Sequence, residues 1–552
     1  MLVLWIASSL VPAWASNGEG WPREGTGGKS AGITFIDDKT CAECHRQPYE
    51  DWSDSHHDQA MQRADEKTVL GDFDDARFTH SGLTSHFFKS EGRFFVNTDG
   101  PDGQLSDFEI AYTFGVEPLQ QYLIAMPGGR LQALGIAWDT GKRRWIHLYP
   151  DESIGHEDSL HWTRRNQTWN VMCADCHSTD FQKNYDADSD SYQSTWHAIN
   201  IGCQACHGPG QAHVEWARGA GATDSPEYAH KALIVDFKGN GSRYQVDTCA
   251  RCHARRHTVS AAFEHGRPLL DDYMPALLRE DLYHADGQIL EEVYVYGSFL
   301  QSKMYQSGVG CSDCHNPHSL KLKRTGNALC LQCHQEQPDP RFTGLTAKRY
   351  DTPAHHFHAL ESPGAQCVNC HMPAKTYMVV DPRRDHSFRV PRPDLSVKLG
   401  TPNACNACHG DQSAPWAAAA VQRWYGPKHE QTPHYADAIA AGRSGSATAP
   451  AKLTALARDA REPAIVRATA LDLLRPYGPA ASTIMIEALR DSDPLIRTTA
   501  VRGLEFVPPE QKLASVAPLL TDPIRAVRSG AARVLASVPP AQFSEAQRRA
   551  FE

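Results

Sequence analysis

All 16 cysteines of this 552-residue chain lie in pairs with the spacing C-x-x-C, and a histidine directly follows every pair. Numbered along the chain as motifs 1 to 8, they are Cys41-Cys44-His45, Cys173-Cys176-His177, Cys203-Cys206-His207, Cys249-Cys252-His253, Cys311-Cys314-His315, Cys330-Cys333-His334, Cys367-Cys370-His371 and Cys405-Cys408-His409. C-x-x-C-H is the attachment signature of c-type haem. The two thiols add to the two vinyl groups of one porphyrin, and the adjacent imidazole is the proximal ligand of the iron. The sequence therefore predicts eight covalently attached haem c groups.

Two other kinds of site also use C-x-x-C pairs, namely zinc ribbons and disulfide frameworks. Neither kind requires a histidine at the position after the second cysteine. Because only 28 of the 552 residues are histidine, eight occurrences at this one offset are not chance. We therefore favour haem over both alternatives.

Each haem iron needs a second axial ligand to become six-coordinate. Histidine is the better candidate, since the chain has 20 histidines outside the motifs and only nine methionines in total. We therefore expect bis-histidine haems of low potential. The candidates lie in sequence contexts close to the motifs, and those selected are His56, His161, His213, His318, His356, His358 and His386. His57 is an alternative to His56, and His355 belongs to the same cluster as His356 and His358.

Composition and hydropathy exclude several classes of protein. The formal net charge is −10, which disfavours a nucleic-acid partner. No apolar run reaches the roughly 18 residues of a membrane span. Residues 1–15 are apolar and end in Ala13-Trp14-Ala15, which fits a signal peptide with its cleavage site. We expect export to the periplasm or cell surface, and a buried N-terminal helix is the alternative interpretation.

Residues 16–409 form the predicted octahaem domain. So little polypeptide per haem implies that the macrocycles supply much of the apolar core. The long gap between motifs 1 and 2 has strand-like runs at 94–96, 130–138 and 144–149, separated by turns, and predicts a β-rich insert at about 70–165. Whether the insert covers haems or binds a partner is open.

Residues 410–450 are interpreted as a helical segment and a linker, and 451–552 as a HEAT-like repeat domain. Three similar segments support the repeat, each with an acidic residue followed by proline and then an arginine: 462–467, 493–497 and 522–528. Acidic-Pro pairs are typical of helix starts, and the period of about 30 residues is typical of a compact α-solenoid. The solenoid either docks a partner protein or caps the cytochrome, and we expect it to be separable from the haem domain.

The predicted fold class is thus mainly α: a haem-wrapping cytochrome with little regular structure, a small β-rich insert and a C-terminal HEAT-like α-solenoid.

Several segments also resemble a known family outside the haem motifs themselves. They are 52–61, 203–214, 287–302, 367–373 and 385–393. In these segments the chain resembles exported multihaem cytochromes of the broad group that contains the tetrahaem cytochrome of ammonia oxidisers and hydroxylamine oxidoreductase. Related members carry C-terminal HEAT or tetratricopeptide repeats.

The resemblance implies a periplasmic or surface-exposed redox protein, but it does not carry an enzyme activity to this chain. Multihaem nitrite reductases commonly have lysine in place of one motif histidine, whereas all eight motifs here end in histidine. We identify no catalytic residue. We expect electron transfer between redox partner proteins, a donor and an acceptor that the sequence does not identify. The alternative is an octahaem oxidoreductase that acts on a small nitrogen or sulfur oxyanion at one haem with an open distal position.

Overall fold

The computed structural model describes residues 34–219, 230–261, 263–342, 344–427 and 432–551. The predicted signal peptide at 1–15 lies outside these residues. The chain divides into two compact units. The first contains His56–Ala205 and the residues up to Asp38, and the second contains Lys39–Ser55 and Cys206–Glu552.

An antiparallel sheet of nine strands dominates the first unit. Its strands are β1 Met61–Arg63, β2 Ala76–His80, β3 Leu83–Ser90, β4 Arg93–Asp99, β5 Leu105–Phe114, β6 Leu119–Met126, β7 Arg130–Ala133, β8 Ile136–Asp139 and β9 Arg144–His147. The strand order is β2-β3-β4-β5-β6-β8-β9, with β1 paired to β5 and β7 paired to β6. Two-residue turns join β2 to β3 and β3 to β4, and both residues of each turn have positive φ: Ser81 and Gly82, then Glu91 and Gly92. Turns of this kind match the twist of the strands that they connect.

Aromatic side chains form a core within this sheet. Phe73 meets Phe87 and Phe94 edge-on at centroid distances of 5.5 and 5.2 Å. Phe87 stacks on Trp145 at 3.7 Å. Tyr122, also fully buried, completes the group. The insert therefore has a hydrophobic core made of its own side chains.

The strand-like runs predicted from the sequence are confirmed by β4, β7, β8 and β9, but the expectation of a mainly α fold with a small insert is wrong. The fold is mixed, with a large antiparallel sheet. Strands β5 and β6 have no alternating pattern in the sequence, because most of β6 and the second half of β5 are buried in an unbroken run. Strands buried on both faces have no polar side to alternate with.

Every haem motif overlaps a helix, and all of these helices except that of motif 4 are short. In the part of the chain that carries the motifs, the helices are Asp38–Ala42, Arg46–Trp52, Trp169–Met172, Ala174–His177, Cys203–His207, Gln211–Ala217, Gly241–His253, Leu269–Asp272, Tyr296–Phe299, Lys303–Gln306, Cys311–Cys314, Ala328–Leu331, Pro353–His356, Cys367–His371, Pro393–Leu399 and Ala404–Cys408. Three two-stranded ladders accompany them: β10 Tyr185–Asp186 with β11 Ser191–Tyr192, β12 Arg256–Thr258 with β13 Tyr273–Pro275, and β14 Ala374–Tyr377 with β15 Asp381–Arg384. Most of these helices have four to seven residues, too short to be stable without tertiary contacts.

Helices also make up the C-terminal part of the chain. They are Ala414–Tyr425, Ala436–Arg443, Ala449–Arg458, Ala464–Leu474, Ser482–Ala488, Pro494–Arg502, Pro509–Val516, Arg525–Leu535 and Glu545–Phe551. No helix among the described residues is long and apolar enough to cross a membrane.

The three similar segments of the sequence start three alternate helices of this C-terminal part, Ala464–Leu474, Pro494–Arg502 and Arg525–Leu535. Arg467 forms an ion pair with Asp491 at 2.6 Å, and Arg497 pairs with Asp522 at 2.8 Å, so each helix is tied to the segment that precedes the next one. Asp493 caps its helix by accepting the backbone N–H of Leu495 at 2.9 Å. The same Arg–Asp contact thus recurs at the period seen in the sequence. The HEAT-like assignment stays a prediction.

These helices share one hydrophobic core with residues 246–300. The backbone N–H of Leu278 donates to Thr469 Oγ1 at 3.1 Å, and Arg443 donates to the carbonyl of Leu278 at 2.9 Å. The segment 440–449, predicted as a linker, includes the end of a helix, and the neighbouring Ile439 is fully buried. The expected boundary near residue 450 therefore crosses a continuous core.

Candidate haem-binding site

The cysteine pairs of the second unit lie next to one another in space. The Cys249 thiol of motif 4 hydrogen-bonds with the Cys311 thiol of motif 5, and this contact together with burial raises the pKa of Cys249 well above its usual value. A similar contact joins Cys330 of motif 6 to Cys367 of motif 7. In these two cases, a thiol of one motif is in contact with a thiol of the next motif along the chain.

Weaker electrostatic interactions link cysteines of further pairs of motifs. Cys206 of motif 3 contributes to the raised pKa of Cys249. Burial is the main cause of the raised pKa of Cys314 in motif 5 and of Cys370 in motif 7. The charge of Cys333 in motif 6 also raises the pKa of Cys314, and that of Cys405 in motif 8 raises the pKa of Cys370. Motifs 3 to 8 therefore form an unbroken series of neighbours.

Side-chain amides fix the contacts between these motifs. Gln245, in the helix that carries motif 4, donates to Ser312 Oγ at 2.9 Å and accepts the backbone N–H of Ser312 at 3.0 Å. Asn327, beside motif 6, accepts the backbone N–H of Cys367 at 2.9 Å. Each amide uses both its donor and its acceptor. These hydrogen bonds fix the position of one motif relative to the next.

Five motif histidines each face a histidine from outside the motifs. The ring centroids are 6.1 Å apart for His45 and His213, 6.3 Å for His207 and His318, 6.4 Å for His315 and His386, 6.3 Å for His371 and His355, and 6.2 Å for His409 and His358. The angles between the ring planes run from 9° for His371 with His355 to 34° for His409 with His358. All five pairs lie within the second unit.

The separation of these pairs is too long for stacked rings and suits two imidazoles that share one metal ion. A metal–imidazole bond of about 2.0 Å, added to roughly 1.1 Å from the nitrogen to the ring centre, puts two axial rings about 6.2 Å apart. The contrast with His80 and His147 is clear, because those rings stack at 4.0 Å in the sheet of the first unit.

Hydrogen bonds hold several of these rings with Nε2 directed away from the backbone. Nδ1 lies 2.6 Å from the carbonyl of Arg389 in His371, 2.8 Å from that of Lys231 in His213, and 2.9 Å from that of Arg384 in His386. His358 makes the same kind of bond to the carbonyl of His356. A donor bond from Nδ1 fixes the tautomer in which Nε2 is free to bind a metal, and such partners are typical of metal-ligating histidines.

Burial also favours the neutral form of His207, and the neutral imidazole is the form that binds a metal. Burial is the main cause that lowers the pKa of His207 to about 4, with further contributions from His318, His45 and His213. The contribution from His45 shows that motif 1 lies near His207 of motif 3. The series of neighbouring motifs therefore extends to motif 1.

Of the seven histidines predicted from the sequence, His213, His318, His358 and His386 lie opposite a motif histidine. His355 takes the place opposite His371, and His356 does not. The sequence could not separate neighbours in a cluster of three histidines. His356 nevertheless has a buried Nε2 with no hydrogen-bond partner among the described residues.

The other two predicted residues differ from these. His161 uses both ring nitrogens within the first unit, Nδ1 to Thr163 Oγ1 at 2.8 Å and Nε2 to Asp99 at 3.1 Å. No nitrogen is left for iron, so we omit His161 from the proposed ligands. His56 is exposed to solvent.

The remaining motif histidines have varied surroundings. In motif 2, Nδ1 of His177 lies 3.4 Å from the carbonyl of Ala60, and the ring meets Phe114 edge-on at 5.8 Å. In motif 6, the ring of His334 meets Tyr350 edge-on at 5.8 Å.

The distribution of buried side chains gives a second test of whether these residues fit haem. Between 303 and 413, the described apolar side chains that are buried are Ala365, Tyr377, Pro393 and Leu395. Motifs 5 to 8 lie in this segment. A polypeptide of this length with so few buried apolar groups fits a fold whose core is the porphyrin rings themselves. The cysteines, the facing histidines and the sparse core all agree with covalently bound haem c.

Two protein-family models match parts of this chain. A family model described as cytochrome c554 and c-prime matches residues 40–80 and 143–208, and a model described as a doubled CXXCH motif matches 304–339. No curated protein matches the chain. Among solved structures, the outer cell wall cytochrome OcwA is similar at 17% identity and a TM-score of 0.47, over 85% of this chain and 99% of that one. The matched families support a multihaem c-type cytochrome that binds haem c covalently and transfers electrons.

Proposed function

We propose that the chain is an octahaem electron conduit that works outside the cytoplasm. The observation that carries the proposal is the set of five facing histidine pairs at 6.1–6.4 Å within an unbroken series of neighbouring motifs. When bound, haem c supplies one-electron exchange between ferric and ferrous iron. The chain's own residues attach, orient and cover the haems.

The proposed ligands interlock the haem-binding segments. His213, which follows motif 3, faces motif 1, and His318, which follows motif 5, faces motif 3. His386, which follows motif 7, faces motif 5. Each of these haems is thus held between two segments of the chain, which fixes the spacing that electron transfer needs. Two imidazoles on one iron also leave no position for a substrate, which favours conduction over catalysis at these five motifs.

We propose that the C-terminal helices support the haem region. Arg251, inside motif 4, donates to the fully buried Asp272 at 3.0 Å. Arg525 of the last repeat donates its backbone N–H to the adjacent Asp271 at 2.6 Å and contacts Asp272 through its guanidinium. The last repeat therefore contacts Asp272, the carboxylate that binds Arg251 of motif 4, and its neighbour Asp271. These contacts, with the shared core, favour a stabilising cap over a separable docking domain.

The proposal is tested on the purified holoprotein. We expect about eight haems per chain by pyridine haemochrome analysis, mostly low-spin ferric signals by electron paramagnetic resonance, and reversible reduction without any substrate. Turnover of nitrite, hydroxylamine or sulfite with a viologen donor would overturn the conduit proposal in favour of the oxidoreductase. Six or fewer haems would show that some motifs carry no cofactor.

A further inference from the structure

His355 is held differently from three of the other facing histidines. Nδ1 of His213, His358 and His386 points to a backbone carbonyl. Nδ1 of His355 instead lies 3.4 Å from the phenol oxygen of Tyr425, and the same hydroxyl also donates to the carbonyl of His355.

The two contacts are chemically compatible with only one arrangement of protons. A phenol has a single proton, which here goes to the carbonyl of His355. Its lone pairs are then left to accept the N–H of Nδ1. The imidazole is thereby fixed in the tautomer with a bare Nε2, and its ring faces His371 at 6.3 Å with an angle of 9° between the planes.

The chain positions both partners of this contact. Tyr425 is the last residue of the helix Ala414–Tyr425, and its ring packs edge-on against Phe357 at 5.7 Å. Phe357 ends the short helix Pro353–His356 in the left-handed conformation, with φ of 57°. The phenol is therefore held from two sides, and its contact with His355 is not that of a freely rotating surface side chain.

We propose that Tyr425 is a positioning residue that lowers the reduction potential of the haem at motif 7. An acceptor on Nδ1–H makes an imidazole a more basic ligand, and a more basic ligand favours ferric iron. The proposal rests on the proposed function, because it takes His355 and His371 as the two axial ligands of that haem. It adds a residue that acts on the haem through its ligand.

The test is the variant Tyr425→Phe, which keeps the ring and removes the acceptor. The matched control is Tyr350→Phe, since the ring of Tyr350 also meets His355 edge-on, at 5.1 Å, whereas its hydroxyl donates to the carbonyl of Thr346. In spectroelectrochemical titration of the holoproteins, we expect one midpoint potential to move to a more positive value in Tyr425→Phe and none to move in Tyr350→Phe. An unchanged set of potentials in Tyr425→Phe, or an equal shift in both variants, overturns the proposal.

A third variant separates this proposal from the function on which it rests. His355→Gly should convert one low-spin haem to high spin if His355 is a ligand. Without that change the ligand assignment at motif 7 fails, and the role of Tyr425 fails with it. With the new high-spin signal but no potential shift in Tyr425→Phe, the ligand assignment stands and only the positioning role is lost.

Discussion

The sheet of the first unit, within residues 61–147, and the segment 303–413 of the second unit differ in what forms their cores. In the sheet, Phe73, Phe87, Phe94, Tyr122 and Trp145 form a core of protein side chains. In 303–413, the described residues contribute only four buried apolar side chains, while four haem motifs lie in the same stretch. We expect the first region to fold by burying its own residues and the second to depend on the cofactor. Two parts of one chain would thus differ in whether the polypeptide or the prosthetic group supplies the hydrophobic effect.

Preventing haem attachment should have the largest effect and should separate the two regions. In chain produced without haem-attachment machinery, we expect 303–413 to lose nearly all backbone protection, because little apolar surface is left to bury. Strands β4 to β6 should stay protected. Hydrogen exchange read by mass spectrometry measures both regions in one sample, with the holoprotein as control. Equal protection of the two regions in the haem-free chain would contradict the comparison.

A core substitution in the sheet should do the reverse. Phe87→Ala removes a fully buried ring that stacks on Trp145, and we expect a loss of about 3–5 kcal/mol in the stability of the sheet. The number of haems should not change. The control Leu105→Ala alters a side chain in the same sheet that is 54% exposed, and it should cost less than about 0.5 kcal/mol. Loss of haem from Phe87→Ala would show that the attached haems depend on this core.

Substitution of Arg525 should have an intermediate effect, within the second unit. Arg525→Ala removes a guanidinium that contacts the fully buried Asp272, and we expect a cost of about 1–3 kcal/mol by denaturant unfolding. Arg461→Ala is the control, since Arg461 is 90% exposed and pairs with Asp459 at 2.7 Å. Exposed ion pairs contribute little to stability, so the unfolding midpoint of this variant should not change measurably. Equal costs for the two variants would remove the evidence that the last repeat supports motif 4.

Two histidines that the sequence did not distinguish should give the smallest and most specific effects. His386→Gly should create one high-spin haem, because His386 faces His315, and it should leave the sheet unchanged. His161→Ala should leave every haem low-spin and destabilise the sheet unit by about 1–3 kcal/mol, because Asp99 and Thr163 lose their partner. Electron paramagnetic resonance and hydrogen exchange measure the two effects. A new high-spin signal in His161→Ala would restore His161 as a ligand.

The sequence by itself determined the chemistry of attachment. The C-x-x-C-H motif is local, so the cysteines and proximal histidines can be read along the chain, and the expectation of covalently bound haem c is supported by the matched families. The start of the helix at Asp493 was readable for the same reason, because a helix cap depends on neighbouring residues.

Tertiary structure alone decided which histidines face which motifs and where the chain has a core of its own. His161 and His386 are both histidines within reach of a haem motif in the sequence, yet the first bonds to Asp99 and the second faces His315. His355, and not its neighbour His356, faces His371, and the buried contact between Arg525 and Asp272 joins residues far apart in the chain. Ligand pairing and core formation are contacts between distant segments, and no local pattern encodes which segments meet.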